Sequence, residues 1–295
     1  MCYLLNNQVL FTGDTLLSFF LFSVIVVSNY FDTKRLEREM QGILVHPPAI
    51  LKLIAHEIRW TLLCHLAYSD YRVQELVAKL QLPQNLVSYH LRQLRSGSLI
   101  TERRSSADER SIYYSLDLAQ LLTLYLSVAD DLHPAMRGQV PPAVSLVWDL
   151  PKPPLRVLFL CTENRARSQM AEALLRDLSH GLVEVESAGS APTEHVHPLA
   201  VQVMQEVGID ISRAVPKHLD LFREQQFDAV VTLCDRAREV CPTFPGDPEC
   251  IHWSMQDPVL VQGSEEVRLN TFKQIAEQLT ARLRFLLPLL LVGHF

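Results

Sequence analysis

Cysteine is scarce in this chain, with six in 295 residues, too few to staple a secreted disulfide module of this length. Four of them (Cys161, Cys234, Cys241, Cys250) fall in the last 135 residues, so thiol chemistry is concentrated there. A surplus of positive charge is also lacking. The net charge of −6 argues against a wholly basic nucleic-acid coat and leaves room for one DNA-binding domain. Charged residues make up only 20% against 48% hydrophobic, which excludes a disordered or collagen-like chain. No internal repeat is visible.

The length favours two folded units, and the charge divides between them. Residues 40–132 carry nine Lys/Arg against nine Asp/Glu, whereas residues 155–295 carry thirteen against nineteen. Between them, residues 133–154 hold six prolines (Pro134, Pro141, Pro142, Pro151, Pro153, Pro154) and read as a semi-extended linker. Residues 1–39 contain a seventeen-residue uncharged run, Thr15 to Phe31, followed by Lys34, Arg35 and Arg38. No Lys or Arg precedes the run, which argues against a cleavable signal peptide. Three readings stay open for this extension: an over-long gene start with Met40 as the true beginning, a single membrane anchor, or a packed helix. The expected location is cytoplasmic, with an anchor only if residues 1–39 are genuine.

In residues 40–132, helical spacing covers Ile50 to Ala67 and then Tyr71 to Leu80. A break at Gln81-Leu82-Pro83 precedes a second helix from Gln84 to about Arg95, the pattern of a helix-turn-helix. Val87, Leu91 and Leu94 form the buried stripe of that second helix. Its other face presents Asn85, Ser88, Tyr89 and Arg92, side chains suited to phosphates and base edges. Two alternating segments, Ser98 to Arg104 and Ser111 to Leu116, form a hairpin with Arg103, Arg104 and Arg110 near its tip. Arginines there can neutralise phosphates and make binding salt-dependent. Cys64 reads as a core residue among Leu62, Leu63 and Leu66.

The stretch VQELVAKLQLPQNLVSYHLRQLRSGSLITERRSSADERSIYYSLD resembles the ArsR/SmtB family of winged-helix repressors, above all in Ser88-x-His90-Leu91-x-x-Leu94. The resemblance implies a mostly α winged helix-turn-helix with a β-wing, a DNA operator as partner, and an inducer that relieves repression. It also implies a homodimer, for which Leu118, Leu121, Leu122 and Tyr125 supply a stripe on a closing helix. Metal-sensing members carry paired cysteines on the helix before the recognition helix; Tyr71 to Leu80 has none, and no metal site is expected.

In residues 155–295, the apolar run Leu155 to Leu160 predicts a buried parallel strand. It ends in Cys161-Thr162-Glu163-Asn164-Arg165-Ala166-Arg167-Ser168, where a helix begins. Strand, Cys-x5-Arg-Ser loop and helix make a cradle for a tetrahedral oxyanion, with loop N–H groups and the helix N-terminus facing the charge. Arg167 is placed to clasp two oxygens, Ser168 to donate to the Cys161 sulfur, and Asn164 to hold the loop in a left-handed turn. This field is expected to lower the pKa of Cys161 and populate its thiolate. Further strands at Leu182 to Ala188, Asp228 to Leu233 and Cys250 to Met255, with helices at His197 to Val207 and Ser264 to Leu286, complete a four-stranded parallel α/β sheet. Cys234 and Cys241 lie beyond a strand end on the Cys161 edge, and Asp257-Pro258 follows the last strand, where a carboxylic acid can protonate a leaving oxygen.

The motifs CTENRARSQMAEALL, VESAG, VGIDIS, VVTLCDRAREVCP, IHW and DP resemble the thioredoxin-coupled arsenate reductases, which share the low-molecular-weight tyrosine phosphatase fold. The resemblance implies that Cys161 attacks arsenate, with Arg167 and the loop stabilising charge and Asp257 as acid. It implies a relay in which Cys234 attacks Cys161 and releases arsenite, and Cys241 then takes over the disulfide for reduction by thioredoxin. No bound cofactor is expected. Glu163 departs from the family's usual glycine and adds a negative charge that Arg165 is placed to offset; Cys250 matches no family role. Val259 and Leu260, rather than aromatic residues, follow Asp-Pro, which favours reduction over dephosphorylation. The expected whole is an arsenic-responsive DNA-binding regulator fused to an arsenate reductase. Its rivals are a DNA-tethered tyrosine phosphatase and an oxyanion sensor without turnover.

Overall fold

The computed structural model describes residues 47–132 and 155–292. The extension expected over residues 1–39 and the linker over 133–154 lie outside the described residues. Helices α1 (Ala49–Ile54) and α2 (Glu57–Tyr68) open the first region. A two-residue strand β1 (Tyr71–Arg72) leads to α3 (Val73–Leu80) and α4 (Gln84–Ser96). The wing follows as β2 (Ile100–Arg104) and β3 (Ile112–Leu116), and α5 (Leu118–Leu132) closes the region.

Tyr71 and Arg72 are not the start of a helix, as their spacing suggested. They pair antiparallel with Tyr114 and Tyr113 of β3, which gives a three-stranded sheet in the order β1-β3-β2. Helix α3 starts after them because Glu75 reaches back to the Arg72 N–H at 2.7 Å, satisfying a donor that would otherwise be orphaned at the helix end. Gln81, at φ 55°, turns the chain out of α3 in the left-handed conformation, and Pro83 sits at the entry to α4. Ser98, also at positive φ (58°), keeps the turn open, so the wing strand begins at Ile100 rather than Ser98.

Leu62, Leu63, Leu66, Leu76, Val87, Leu91 and Leu94 meet in the core of this region. Cys64 is exposed and is not a core residue. At 100° per residue it points about 200° away from Leu62, outside the arc that Leu62, Leu63 and Leu66 bury.

The second region contains β4 (Leu155–Cys161), α6 (Arg167–Leu178), β5 (Val183–Gly189), α7 (Pro198–Glu206), β6 (Ala229–Thr232), α8 (Asp235–Glu239), β7 (Glu249–His252) and α9 (Glu265–Val292). The strands form one parallel sheet in the order β5-β4-β6-β7. Val157 to Cys161 are all buried, as expected for a strand covered on both faces. Helix α9 lays Phe272, Ile275, Leu279, Leu283, Leu286 and Leu290 into the core. It runs six residues beyond Leu286, through Pro288 to Val292, and burial of Leu290 anchors that end. Among the described residues, no helix is long and apolar enough to cross a membrane.

The two regions pack on each other. His252 O accepts from the Asp70 N–H (2.7 Å) and the Ser69 hydroxyl (3.1 Å), and Ser254 N–H donates to Asp70 at 2.6 Å. Arg282 closes a bidentate pair on the fully buried Asp70 (3.0 and 3.2 Å). Trp253 Nε1 donates to Tyr68 O. The Tyr68–Asp70 segment thereby covers the His252 end of β7, the edge strand of the parallel sheet.

Candidate active site

The site is built where β4 ends and α6 begins. Cys161 is the last residue of the strand and is buried. Its Sγ lies 2.9 Å from Ser168 Oγ and accepts from the Asn164 N–H at 3.2 Å. The carbonyls of Thr162, Glu163 and Arg165 are taken by the N–H groups of Ala191, Thr193 and His197 (2.8, 3.1 and 2.8 Å). Carbonyls turned outward leave the peptide N–H groups of the loop turned inward, and Ala166 caps α6 at φ −140°, ψ −89°, outside both the helical and the extended regions. This is the geometry of an anion-binding nest at a helix N-terminus.

Asn164 holds the loop together. Its φ is 48°, and its fully buried amide donates to Ser168 Oγ (2.8 Å) and Ser187 Oγ (2.9 Å). Its Oδ1 accepts from Gln169 Nε2 (3.0 Å) and from the Lys217 N–H (2.7 Å). Ser187, Gln169 and Lys217 were not expected at the site, since they reach it only through folding. Gly189 is a further missed residue: a Cβ there would come within 2.6 Å of Thr162 O and 2.9 Å of Asn164 N. The VESAG ending of β5 was the one signal that pointed to it.

Arg167 is nearly buried and lines the cradle with Cys161, Glu163, Arg165, Ala166, Asp257 and Val259. Its guanidinium donates to Met255 O (3.0 Å) and to Asp257 Oδ2 (2.6 Å). Glu163 forms an ion pair with Arg165, so the added negative charge is matched beside the loop. The expected depression of the Cys161 pKa is not what the geometry produces. Burial pushes the thiol up, more strongly than Arg167 and Ser168 pull it down, and neighbouring Cys234 adds to the rise. In this state the Arg167 guanidinium is held in an ion pair by Asp257.

The register Leu160↔Thr232 sets β6 beside β4, which brings Cys234 next to the loop. Cys234 is buried, its Sγ stands 3.3 Å from Thr162 Oγ1, and it caps α8 by accepting from the Ala237 N–H at 3.4 Å. Cys241 lies at the other end of α8, half-buried, its thiol directed to Pro242 O. Burial and the nearby Cys250 push its pKa up to about 11. The structure therefore sets Cys161 and Cys234 side by side and leaves Cys241 near Cys250. Among the described residues, no group of three His, Cys, Asp or Glu is placed to hold a metal ion.

In the winged helix, Asn85, Tyr89 and Arg92 of α4 and Arg104 and Arg110 of the wing are exposed; Ser88 is half-buried. Arg103 departs from the expectation of a DNA-facing wing arginine. It is half-buried and donates to Asp235 Oδ2 (2.5 Å), Ser254 O (2.9 Å) and Ser254 Oγ. Alternation along β2 sends Arg103 to the face opposite Glu102 and Arg104, and that face packs on the parallel-sheet region. Asp235, which makes this contact, immediately follows Cys234 and was not singled out from sequence.

The family model for low molecular weight phosphotyrosine protein phosphatases matches residues 156–291, and that for arsR-family bacterial regulatory proteins matches residues 56–101. An arsenate reductase of Halalkalibacterium halodurans is 38% identical over 128 residues, covering 43% of this chain and 91% of that protein. One from Bacillus subtilis has the same identity and coverage over 128 residues. Among solved structures, an arsenate reductase in its oxidized state is 30% identical, with a TM-score of 0.41 over 46% of this chain and 98% of that one. A Corynebacterium glutamicum thioredoxin-dependent arsenate reductase is 24% identical, with a TM-score of 0.40 over 79% of this chain and 98% of that one.

Proposed function

The chain belongs to the arsenate reductases built on the low-molecular-weight phosphatase fold and carries an arsR-type helix-turn-helix ahead of that domain, and on that premise we propose that it reduces arsenate through a three-thiol relay and regulates transcription in response to arsenic. The observation that carries the reading is the placement of Cys161 Sγ at the head of the loop cradle with Cys234 one strand away, linked through Thr162 Oγ1 at 3.3 Å.

Arsenate enters the cradle and takes over Arg167 from Asp257. The carboxyl group is then available to protonate the departing oxygen as the Cys161 sulfur bonds to arsenic and water leaves. Cys234 attacks the Cys161 sulfur, the S–As bond breaks, and its electron pair reduces As(V) to As(III), released as arsenite. Cys241 attacks the Cys234 sulfur and Cys161 departs as thiolate. Thioredoxin, an external dithiol, reduces the resulting Cys234–Cys241 disulfide, so no bound cofactor is needed. The winged helix acts as a homodimeric operator-binding repressor, with Asn85, Ser88, Tyr89 and Arg92 at bases and phosphates and Arg104 and Arg110 on the backbone. The exposed Leu122 and Tyr125 of α5 supply the dimer surface.

NADPH consumption in the presence of thioredoxin and its reductase tests the enzyme. Consumption is expected on adding arsenate to the parent and is abolished in Cys161→Ser. Turnover of an aryl phosphate that is unaffected by Cys234→Ser, with no arsenate-dependent NADPH loss, establishes a phosphatase instead. No turnover of either compound leaves the oxyanion sensor.

A further inference from the structure

Helix α8 is both the spacer between two relay thiols and the contact point for the winged helix. Asp235, its first residue, is completely buried. One carboxylate oxygen accepts from Arg103 Nη2 (2.5 Å), the Ser106 N–H (2.6 Å) and Ser106 Oγ (3.0 Å), all on the wing. The other accepts from Ser254 Oγ at 2.7 Å and faces His252 Nε2 at 3.2 Å. Near the other end of α8, Arg238 donates to Glu75 (2.7 Å) and lies 5.3 Å from the Tyr113 ring centroid. Glu75 is the residue that caps α3, the first helix of the helix-turn-helix. The wing and α3 are thus both pinned to the six-residue stretch that joins Cys234 to Cys241.

That stretch cannot keep its conformation when the two thiols join. Cys234 and Cys241 flank the five-residue helix, and their sulfurs face different partners, that of Cys234 the Thr162 hydroxyl and the Ala237 N–H and that of Cys241 the Pro242 carbonyl. A disulfide needs the two sulfurs bonded to each other with Cα atoms roughly 4.4–6.8 Å apart. Forming the bond also takes the Cys234 sulfur from the Ala237 N–H that it caps. Helix α8 has to unwind, and Asp235 and Arg238 leave their partners as it does so. The pinned state leaves the DNA side open. Glu102 pairs with Arg95 of α4 at 2.6 Å, so the α4 side of the wing carries Glu102 and Arg104, while Arg103 and Ser106 face the reductase.

We infer that the clamp made by Asp235 and Arg238 on the wing and α3 is a redox read-out: the chain binds duplex DNA tightly with Cys234 and Cys241 reduced and loosely once they form a disulfide. The balanced event is two thiols plus arsenate giving one disulfide, arsenite and water, so each turnover unlocks the clamp until a dithiol reduces it. This inference rests on the relay reading above and adds to it a function, reporting turnover to DNA, that differs from sensing arsenite as a ligand. By linkage, bound DNA opposes disulfide formation by the same factor.

The experiment uses the full chain and duplexes selected from a random-sequence pool on its reduced form. One sample receives one equivalent of arsenate without reductant, and a second receives the thiol oxidant diamide. Peptide mapping assigns the disulfides, hydrogen exchange follows residues 100–112 and α3, and DNA affinity is measured on the selected duplex. The Cys234–Cys241 bond is expected to speed exchange across the wing and to weaken DNA binding about tenfold. Cys241→Ser, stopped at the Cys161–Cys234 bond, is expected to keep both protection and affinity. Arg103→Gln is expected to form arsenite normally while oxidation no longer changes its DNA affinity. A chain with the Cys234–Cys241 bond mapped but with unchanged wing exchange and affinity overturns the inference. So does failure of both treatments to form that bond without loss of fold, or selection of no duplex. Diamide forming the bond where arsenate does not overturns the relay reading and leaves the clamp standing.

Discussion

Substituting Gly189 by alanine offers the sharpest probe of the cradle from outside it. The new methyl would meet Thr162 O at 2.6 Å, Asn164 N at 2.9 Å and the Asn164 Cβ at 3.1 Å. Two of these are backbone atoms of the loop and have no rotamer into which to retreat. Ordinary carbon contact lies near 3.5 Å, so the Thr162 peptide has to recede by roughly 0.9 Å. The Asn164 N–H that donates to Cys161 Sγ moves with it. A displacement of this order in a preorganised site costs about 100-fold in rate, and the overlap costs about 1–3 kcal/mol of stability. The assay is arsenate-dependent NADPH oxidation coupled through thioredoxin, alongside thermal melting. A Gly189→Ala chain that keeps kcat/KM within twofold, with an unchanged melting temperature, refutes the claim that β5 sets the loop's position.

Asn164→Ala removes one buried amide on which Ser168, Ser187, Gln169 and the Lys217 N–H converge; it is expected to cost about 1–3 kcal/mol and most arsenate turnover, and a melting curve that does not move contradicts it. Asp235→Ala leaves Arg103 without its buried carboxylate and is expected to destabilise the chain by about 3–5 kcal/mol, measured by urea titration; a loss under 1 kcal/mol contradicts the clamp. Burial holds the imidazoles of His65, His90, His197 and His252 below the ordinary histidine range. The unfolded chain then takes up protons first as pH falls through about 6.5. Stability is therefore full above that value and declines below it, and calorimetry at pH 7.5 and 5.5 is expected to show the lower melting temperature at pH 5.5. Equal values contradict this account.

Much of the cradle was legible because it is local. An apolar run followed by Cys-x5-Arg-Ser dictates strand, loop and helix within fourteen residues, and the left-handed Asn164 follows from its neighbours. The four strands were placed to within a few residues for the same reason. What depended on distant partners was not legible. Cys64 sat on an apolar helix, yet its side of that helix meets no core. The sign of the Cys161 shift turns on burial, which outweighs Arg167, and on Cys234, seventy-three residues away. Arg103 has the alternation of a wing arginine, and only the docking of Asp235 beside it shows which face is covered. Tyr71 and Arg72 fit helical spacing, but β3 offered them a strand partner.

The relay stands or falls on the bond left after one turnover. The reduced chain is given one equivalent of arsenate without thioredoxin, then acid-quenched, digested and mapped by mass spectrometry, with arsenite counted in parallel. The account expects one arsenite per chain and a peptide pair joined through Cys234 and Cys241, replaced by Cys161 and Cys234 in Cys241→Ser. Arsenite released with all three thiols still free, or no arsenite at all from a folded chain, contradicts it.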